Sequence, residues 1–455
     1  MNDQSFLTRR NSRTNLYGRG ARPLDPARWI SLAIDPAYAE TYAGQVALLT
    51  AANLIGRMTP SVAIAVPEGT QIRDPLPWAG RSLSAVLFEQ LFAATPADKG
   101  GRFVARPPAA GDVAIAFGLH AAPGAALVHG CGWDSYFGAE LSPIRASDIS
   151  NPCGPAFAAI LCGAHLLADG LRAPAAGHLC NTLDWSARAA REGAPQPNPA
   201  TALGELWTIG TGSVGTAALY FLTLFTRRFD AGLIDKDDVE IENLDRSPIF
   251  VATDDGRPKV HATADYLRSV GVASVRPERA TLGESKLWRT RQESTPDLLI
   301  AAANEDHVRF QIEADMPPIQ IYGTTGKSWQ ASVIRHVPLQ GPCSLCLFPD
   351  SGPVALTACA TGKVVSPVNG KRIDAALPFL SFAAGLMTAA EILKLALPGC
   401  PFSSMITQYS AKAEDKLMSA RLSPRAGCLC QTGRDHALHR RMIARTRYAA
   451  LSGTT

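Results

Sequence analysis

Three glycines carry the first chemistry legible in this sequence. Gly210, Gly212 and Gly215 are spaced G-x-G-x-x-G, between an apolar run, Leu206 to Ile209, and a helix-forming run, Thr216 to Thr226. Without side chains they let the backbone approach a phosphate, and a helix start offers unpaired N–H groups and a partial positive charge. Asp235, about 20 residues beyond Gly215 and after the strand-like run Ala231 to Ile234, stands where a carboxylate can hydrogen-bond ribose hydroxyls. On these residues alone three readings stay open: a nicotinamide dinucleotide, ATP, or a tight turn that binds nothing.

The cysteines offer a second chemistry. Cys343 and Cys346 form C-x-x-C, and Cys428 and Cys430 form C-x-C about 80 residues later. Two close pairs of thiolates suit a tetrahedral structural zinc; the alternative is two pairs of buried free cysteines. Cys131, Cys153, Cys162 and Cys180 lie in mostly apolar surroundings and read as core residues.

The residues after Asp235 separate the nucleotide readings. Asp235-Lys-Asp-Asp-Val-Glu-Ile-Glu-Asn243-Leu-Asp-Arg246 resembles the pattern D-x-D-x-V-x-x-x-N-L-x-R, and Gly256-Arg-Pro-Lys259 then matches G-x-P-K. Both patterns, in this order, resemble the ubiquitin-activating (ThiF/MoeB-type) adenylating superfamily. The resemblance is carried by motifs over residues 200–430, and by architecture alone over 30–175. A cationic Arg and Lys beyond the ribose carboxylate make sense for a triphosphate, whose β- and γ-phosphates carry charge as pyrophosphate leaves. A nicotinamide cofactor has no such need there.

Several roles follow from the resemblance. Gly210, Gly212 and Gly215 would hold the phosphate region of ATP, Asp235 the ribose, and Asn243, Arg246 and Lys259 the phosphates. The family's magnesium ligand falls at Asn304, within Asp297-Leu-Leu-Ile-Ala-Ala-Ala-Asn304-Glu-Asp306. An amide oxygen ligates Mg²⁺ without the charge of a carboxylate, so Asp306 or the phosphates would have to compensate. The family's second cysteine pair is usually C-x-x-C, one residue longer than Cys428–Cys430. Cys359, in Leu356-Thr-Ala-Cys359-Ala-Thr-Gly362, occupies the crossover segment in which some members carry the thioester-forming nucleophile. Cys400 is the weaker candidate for that role. Members work as dimers or pseudo-dimers, and an arginine from the partner half reaches the triphosphate; Arg57 is the first candidate, with Arg188 and Arg191 behind it.

Positioning these residues takes an α/β chain of more than one domain, since 455 residues exceed one compact core. Residues 1–25 are polar and Arg-rich, without periodicity, and are expected to be disordered. Within 26–180 helices are predicted over Tyr38–Arg57, Ser82–Ala93 and Gly154–Leu171. Strands are predicted over Ser61–Val66, Asp112–Phe117 and Ala126–His129. No Gly-rich loop or ribose carboxylate occurs there, so this half resembles the inactive member of an inactive-plus-active pair of Rossmann-like halves. A linker follows over 181–200, with Glu192 to Pro199 rich in proline, and then the motif-bearing domain, 201–432, with a crossover cysteine loop at 347–378. Residues 433–455 form a second basic tail.

Composition excludes other classes. Apolar residues make up 46% and charged residues 18%, as in ordinary globular proteins, and the net charge of +4 gathers in the two tails. Those tails read as solvated or packing segments rather than nucleic-acid arms. The stretch Phe379–Leu397 carries Glu391 and Lys394 and reads as an amphipathic helix, not a membrane span. No signal peptide is legible, and paired cysteines in a chain of this length fit a reducing cytoplasm. The expected function is ATP- and Mg²⁺-dependent adenylation of the C-terminal Gly of a ubiquitin-like protein, then a thioester on Cys359 and transfer to a conjugating enzyme. The resemblance is to compact bacterial versions, of the type found in antiviral conjugation operons. Adenylation without a thioester, serving a sulfur carrier or another carboxylate, and a non-catalytic ATP-binding scaffold are the alternatives.

Overall fold

A computed structural model describes residues 3–15, 24–120, 124–139, 141–145, 147–169, 177–303, 305–315, 318–326, 329–337, 341–347, 363–365, 372–374, 376–397, 405–413, 416–421, 423–428, 430 and 436–452. Two mixed sheets organise them. The first holds β1 (Ile30–Ile34), β2 (Ser61–Ala65), β3 (Arg102–Ala105), β4 (Val113–Phe117), β5 (Ala126–Cys131), β6 (Asp134–Gly138) and β7 (His178–Asn181). Its order is β3-β2-β1-β4-β5-β6-β7, parallel as far as β5 and antiparallel beyond.

The second sheet holds β8 (Gly204–Ile209), β9 (Phe229–Ile234), β10 (Ser274–Glu278), β11 (Leu298–Ala301), β12 (Gln320–Gly326) and β13 (Gln330–His336). After a separate two-stranded ladder, β14 (Lys363–Val365) with β15 (Arg372–Asp374), it is completed by β16 (Met405–Ser410) and β17 (Lys416–Ala420). Its order, β10-β9-β8-β11-β12-β13-β16-β17, repeats that of the first sheet and adds one strand. Five parallel strands are again followed by antiparallel ones. One topology therefore occurs twice, with the sheet order reversing beside β1 in one copy and beside β8 in the other, where α/β sheets place their ligand crevice.

The helices used below are α1 (Asp3–Arg10), α2 (Tyr42–Met58), α3 (Leu83–Ala94), α4 (Cys153–Asp169), α5 (Ser213–Phe225), α6 (Lys259–Ser269), α7 (Asp306–Asp315), α8 (Pro378–Leu395) and α9 (His436–Ile443). Helices α2 and α4 pack on the first sheet, α5 and α8 on the second, and α8 also packs on α2 and α4. All four are apolar around most of their circumference because they lie between two sheets and not between a sheet and water. This also explains α8, which is long and apolar enough to cross a membrane yet is 94% buried inside the molecule. Its charged pair sits at the seam between the halves. Glu391 accepts hydrogen bonds from Trp185 Nε1 (2.7 Å) and Lys394 Nζ (2.6 Å) and pairs with Arg335 (3.0 Å).

Local sequence explains most element starts. Ser82 caps α3 by accepting the Ala85 N–H, and Thr41 caps α2 through Gly44. The N-terminus departs from the expected disorder. Helix α1 buries Phe6 and Arg10, the latter donating to the Gly56 carbonyl and to Thr95 Oγ1. A helix of this length is unstable by itself and forms here because it docks between the halves. In the same way α9 buries His439, Met442 and Ile443 within the segment expected to be a basic tail. Strand β1, central to the first sheet, is buried on both faces, so Ser31 is as buried as Ile30 and Leu32.

Candidate active site

The three loop glycines are required for different reasons. Gly210 has φ +87°, and a Cβ there would stand 2.7 Å from the Ala303 nitrogen. A Cβ on Gly215 would run into the Gly210 carbonyl oxygen. The fold itself demands both. Gly212 is the N-cap of α5, makes no side-chain cap, and has nothing within 4 Å of where a Cβ would sit. Packing does not require a glycine there, whereas close approach of a ligand to the N–H groups of the first turn does.

Asp235 follows β9, and its carboxylate closes the loop from below. Oδ2 accepts from Thr211 N (2.7 Å) and Thr211 Oγ1 (3.2 Å), and Oδ1 accepts from Asp237 N (2.9 Å). Burial raises its pKa above the ordinary carboxylate value, with Lys259 pulling the other way. Lys259 is the first residue of α6; its Nζ donates to Asp237 Oδ2 at 3.1 Å, and its backbone N–H to the Asp237 carbonyl at 3.0 Å. The G-x-P-K turn thus returns the chain to the end of β9 and brings the ammonium over the ribose-type carboxylate.

Asn243 and Arg246 lie on the short turn after it. Asn243 Oδ1 accepts from Glu240 N at 3.0 Å and so caps the 3₁₀ turn Ile241–Asn243. Arg246, 5% exposed, donates to the Glu242 carbonyl and to Asp245 Oδ1 (2.7 Å). Asp245 is buried and accepts from Thr14 Oγ1 at 2.8 Å; burial raises its pKa, and Arg246 offsets part of that. Arg13 reaches Glu240 and Glu242 at 3.8 Å each, and burial followed by repulsion from Arg246 lowers its pKa. Arg13, Arg246 and Lys259 therefore gather around the turn 237–245 and rest on its carboxylates. Arg13 and Thr14 were not legible as site residues: a short polar helix has no periodicity to announce it, and only the cluster of arginines was visible.

Arg57 is not free to reach a ligand, which corrects its expected role. Its guanidinium donates to the carbonyls of Leu244 (2.6 Å), Phe250 (3.0 Å) and Pro248 (2.9 Å), and to Asn53 Oδ1 (2.7 Å). It ties α2 to the backbone that carries Arg246, and burial lowers its pKa to about 9. Arg188 is exposed and pairs with Asp184 at 3.3 Å, and Arg191 is exposed. Asp306 opens α7 and accepts from Arg309 at 3.0 Å, so one carboxylate oxygen is already engaged. Asn304, Cys359 and Cys400 lie outside the described residues.

The paired cysteines converge. All four Sγ atoms lie within 4.8 Å of one another, with Cys343–Cys346 at 3.9 Å, Cys343–Cys428 at 3.5 Å and Cys346–Cys430 at 3.4 Å. Metal–sulfur bonds of about 2.3 Å in a tetrahedron place sulfurs about 3.8 Å apart, so the spacing fits one metal ion. Burial pushes the Cys343 and Cys346 thiols up, whereas for Cys428 burial is outweighed by hydrogen bonds from the Cys430 backbone and the neighbouring sulfurs, which bring it down; a cation would let all four ionise together. The shortened C-x-C spacing does not prevent convergence, since Cys428 and Cys430 approach different members of the first pair. The remaining described cysteines, Cys131, Cys153, Cys162 and Cys180, are buried in the first half.

In the first half the same turn is closed. After β1 comes Asp35, whose Oδ1 accepts from Ala37 N (2.9 Å) and Tyr38 N (3.2 Å), and a one-turn helix Pro36–Ala39 replaces the glycine loop. Tyr38 packs edge-on against His129 and its hydroxyl bonds the Gly130 backbone. The strand after the first crossover, β2, ends at Ala65 and is followed by Val66, where β9 is followed by Asp235.

Comparisons with known proteins cover the second half. Residues 205–431 match the ThiF family. The adenylyltransferase and sulfurtransferase MOCS3 of Arabidopsis thaliana is 27% identical over 209 residues, 45% of this chain and 42% of that protein. The sulfur carrier protein adenylyltransferase of Thermus thermophilus is 26% identical over 230 residues, 48% of this chain and 79% of that protein. The chain thus spans less than half the length of the first of these relatives. The crystal structure of E. coli MccB with ATP is 17% identical, covers 50% of this chain and 66% of that chain, and has a TM-score of 0.37. Through residues 205–431, which hold the glycine loop, both cations and all four paired cysteines, the chain belongs to the ThiF family of the ThiF/MoeB adenylating superfamily.

Proposed function

We propose that this protein adenylates the C-terminal glycine carboxylate of a small ubiquitin-like or sulfur-carrier protein. The observation that carries the reading is the uncapped α5 N-terminus at Gly212 together with the carboxylate-bound cations Lys259 and Arg246 on the turns after Asp235, which itself holds the loop through Thr211. A triphosphate would exchange those carboxylates for phosphate oxygens, the loop amides taking one phosphate and the cations the others. The substrate carboxylate then attacks the α-phosphorus, a P–O bond to the β-phosphate breaks, and pyrophosphate leaves with its charge balanced by Lys259, Arg246 and Arg13. Asp235 orients the loop and the ribose, and Asn243 holds the turn carrying Arg246. Magnesium, in this reading, is bound mainly through the phosphates, with Asn304 and Asp306 as its protein ligands. Zinc in the four-cysteine site anchors the crossover segment to the end of the domain.

For the next step, Cys359 attacks the acyl-adenylate as a thiolate, AMP leaves, and the thioester passes to a conjugating enzyme in the cytoplasm. The relatives favour a second reading, because those matched are named as sulfur-carrier adenylyltransferases and sulfurtransferases; there the adenylate itself is the product handed on. ATP–pyrophosphate exchange with candidate carrier proteins tests the shared step, and its absence despite nucleotide binding would leave a scaffold. A thiol-sensitive adduct that disappears in Cys359→Ala supports the first acceptor, and exchange without any adduct supports the second.

A further inference from the structure

Directly beneath the cysteine quartet lies a carboxylate that no motif accounts for. Glu313, near the end of α7, is fully buried. It accepts from the Ser344 backbone N–H at 2.8 Å and from Tyr322 Oη at 3.0 Å, and faces His336 Nδ1 at 3.2 Å. Ser344 stands between Cys343 and Cys346 and starts the single helical turn Ser344–Leu347 that presents both sulfurs to one point. Tyr322 comes from β12 and His336 from β13, and both also contact Gln320 Oε1, at 2.7 Å and 3.3 Å. One carboxylate thereby fastens the C-x-x-C turn to a helix and two strands. A buried carboxylate is costly to keep unless its partners are fixed, so its position is well determined.

The geometry points to Glu313 as the positioning residue of the four-cysteine metal site: it orients the Cys343–Cys346 turn through the Ser344 amide and raises the negative potential beneath the bound cation. The inference rests on the reading of the quartet as a zinc site. Two contributions favour retention of the ion. Holding the first turn in its ligating shape removes conformational freedom that the emptied site would otherwise regain, and a fixed anion below four thiolates favours a divalent cation over none. Outer groups of this kind typically change metal affinity by about 10- to 100-fold when removed. Phe310, on the same helix, packs against the cysteines and limits water there.

The test measures zinc content of the full chain and then the rate of zinc transfer to a chromogenic chelator for wild type, Glu313→Gln and Glu313→Ala. Nucleotide binding serves as the control for folding. Expected are one zinc per wild-type chain, release at least about 10-fold faster in Glu313→Ala, and an intermediate rate in Glu313→Gln, which keeps an acceptor for Ser344 but loses the charge. Release at the wild-type rate in both variants would overturn the role of Glu313 while leaving the zinc site standing. Wild-type protein that takes up no zinc would overturn both. If Glu313→Ala fails the nucleotide-binding control, the Glu313→Gln rate decides.

Discussion

The two halves share a strand order but treat one structural problem in opposite ways. Each has a parallel strand running into a helix at the point where the sheet reverses, and each turn there exposes N–H groups. The first half satisfies them internally: Asp35 accepts from Ala37 and Tyr38, and Tyr38 fills the space against His129. The second leaves them uncapped at Gly212 and gathers Lys259, Arg246 and Arg13 on the carboxylates of the turn after Asp235. One feature survives in both, a glycine at the third position of the helix. Gly44 in α2 lets the Tyr38 carbonyl approach, and Gly215 in α5 does the same for Gly210. That glycine belongs to strand-to-helix packing, whereas packing does not require Gly212, which the proposed reading assigns, with the cations, to a ligand. The comparison therefore separates what the fold needs from what the chemistry needs.

The strongest way to break this contrast is to remove charge from the open side. Lys259→Ala should lower the pyrophosphate-exchange rate by about 100- to 1000-fold, the usual cost of losing one preorganised charge stabiliser. Its thermal midpoint should barely move, since the ion pair of Lys259 among the described residues is with the half-exposed Asp237. Arg57→Met should behave in reverse. It strips partners from the carbonyls of Leu244, Pro248 and Phe250, at about 1–3 kcal/mol for each buried group left unpaired, and denaturant unfolding should show the loss directly.

Acid should weaken the first half through His129, whose pKa burial pushes down to about 4. The unfolded chain takes up that proton near pH 6.5, so between the two values the unfolded state binds more protons. Stability falls as pH drops through that window, by on the order of 3 kcal/mol. Unfolding curves at pH 7 and pH 4.5 should converge towards each other in His129→Gln; an unchanged pH slope would remove this residue from the account.

The glycines sharpen the comparison further. Gly210→Ala should cost about 1–3 kcal/mol of stability as well as nucleotide affinity, because its left-handed backbone and its contact with Ala303 both resist a Cβ. Gly212→Ala should leave stability within about 0.5 kcal/mol and weaken nucleotide binding alone; equal loss of stability in both would end the distinction. The smallest effect is expected from Asp35→Ala. Losing the cap should cost about 1 kcal/mol, and calorimetry should still find one nucleotide per chain, since Val66 stands in the first half where the second has Asp235.

Most of the second half was legible in the sequence because its requirements are local. A glycine loop, a carboxylate one strand later and the N-L-x-R and G-x-P-K turns are each fixed by neighbours within a few residues. Spacing likewise announced the cysteine pairs, whose convergence the fold then supplied. The buried strand β1, the docked helix α1 and the partners of Arg57 were not legible, as each depends on surfaces far away in the sequence. Arg57 shows the limit most clearly: its type fits a phosphate ligand, and only its burial against three carbonyls makes it a strut. By itself the sequence determined which residues could bind a triphosphate and a metal, since that follows from chemical type and short-range spacing. The tertiary structure decided which arginines hold the halves together on backbone carbonyls and which rest on carboxylates, because that depends on which carbonyls and carboxylates the two sheets bring within reach.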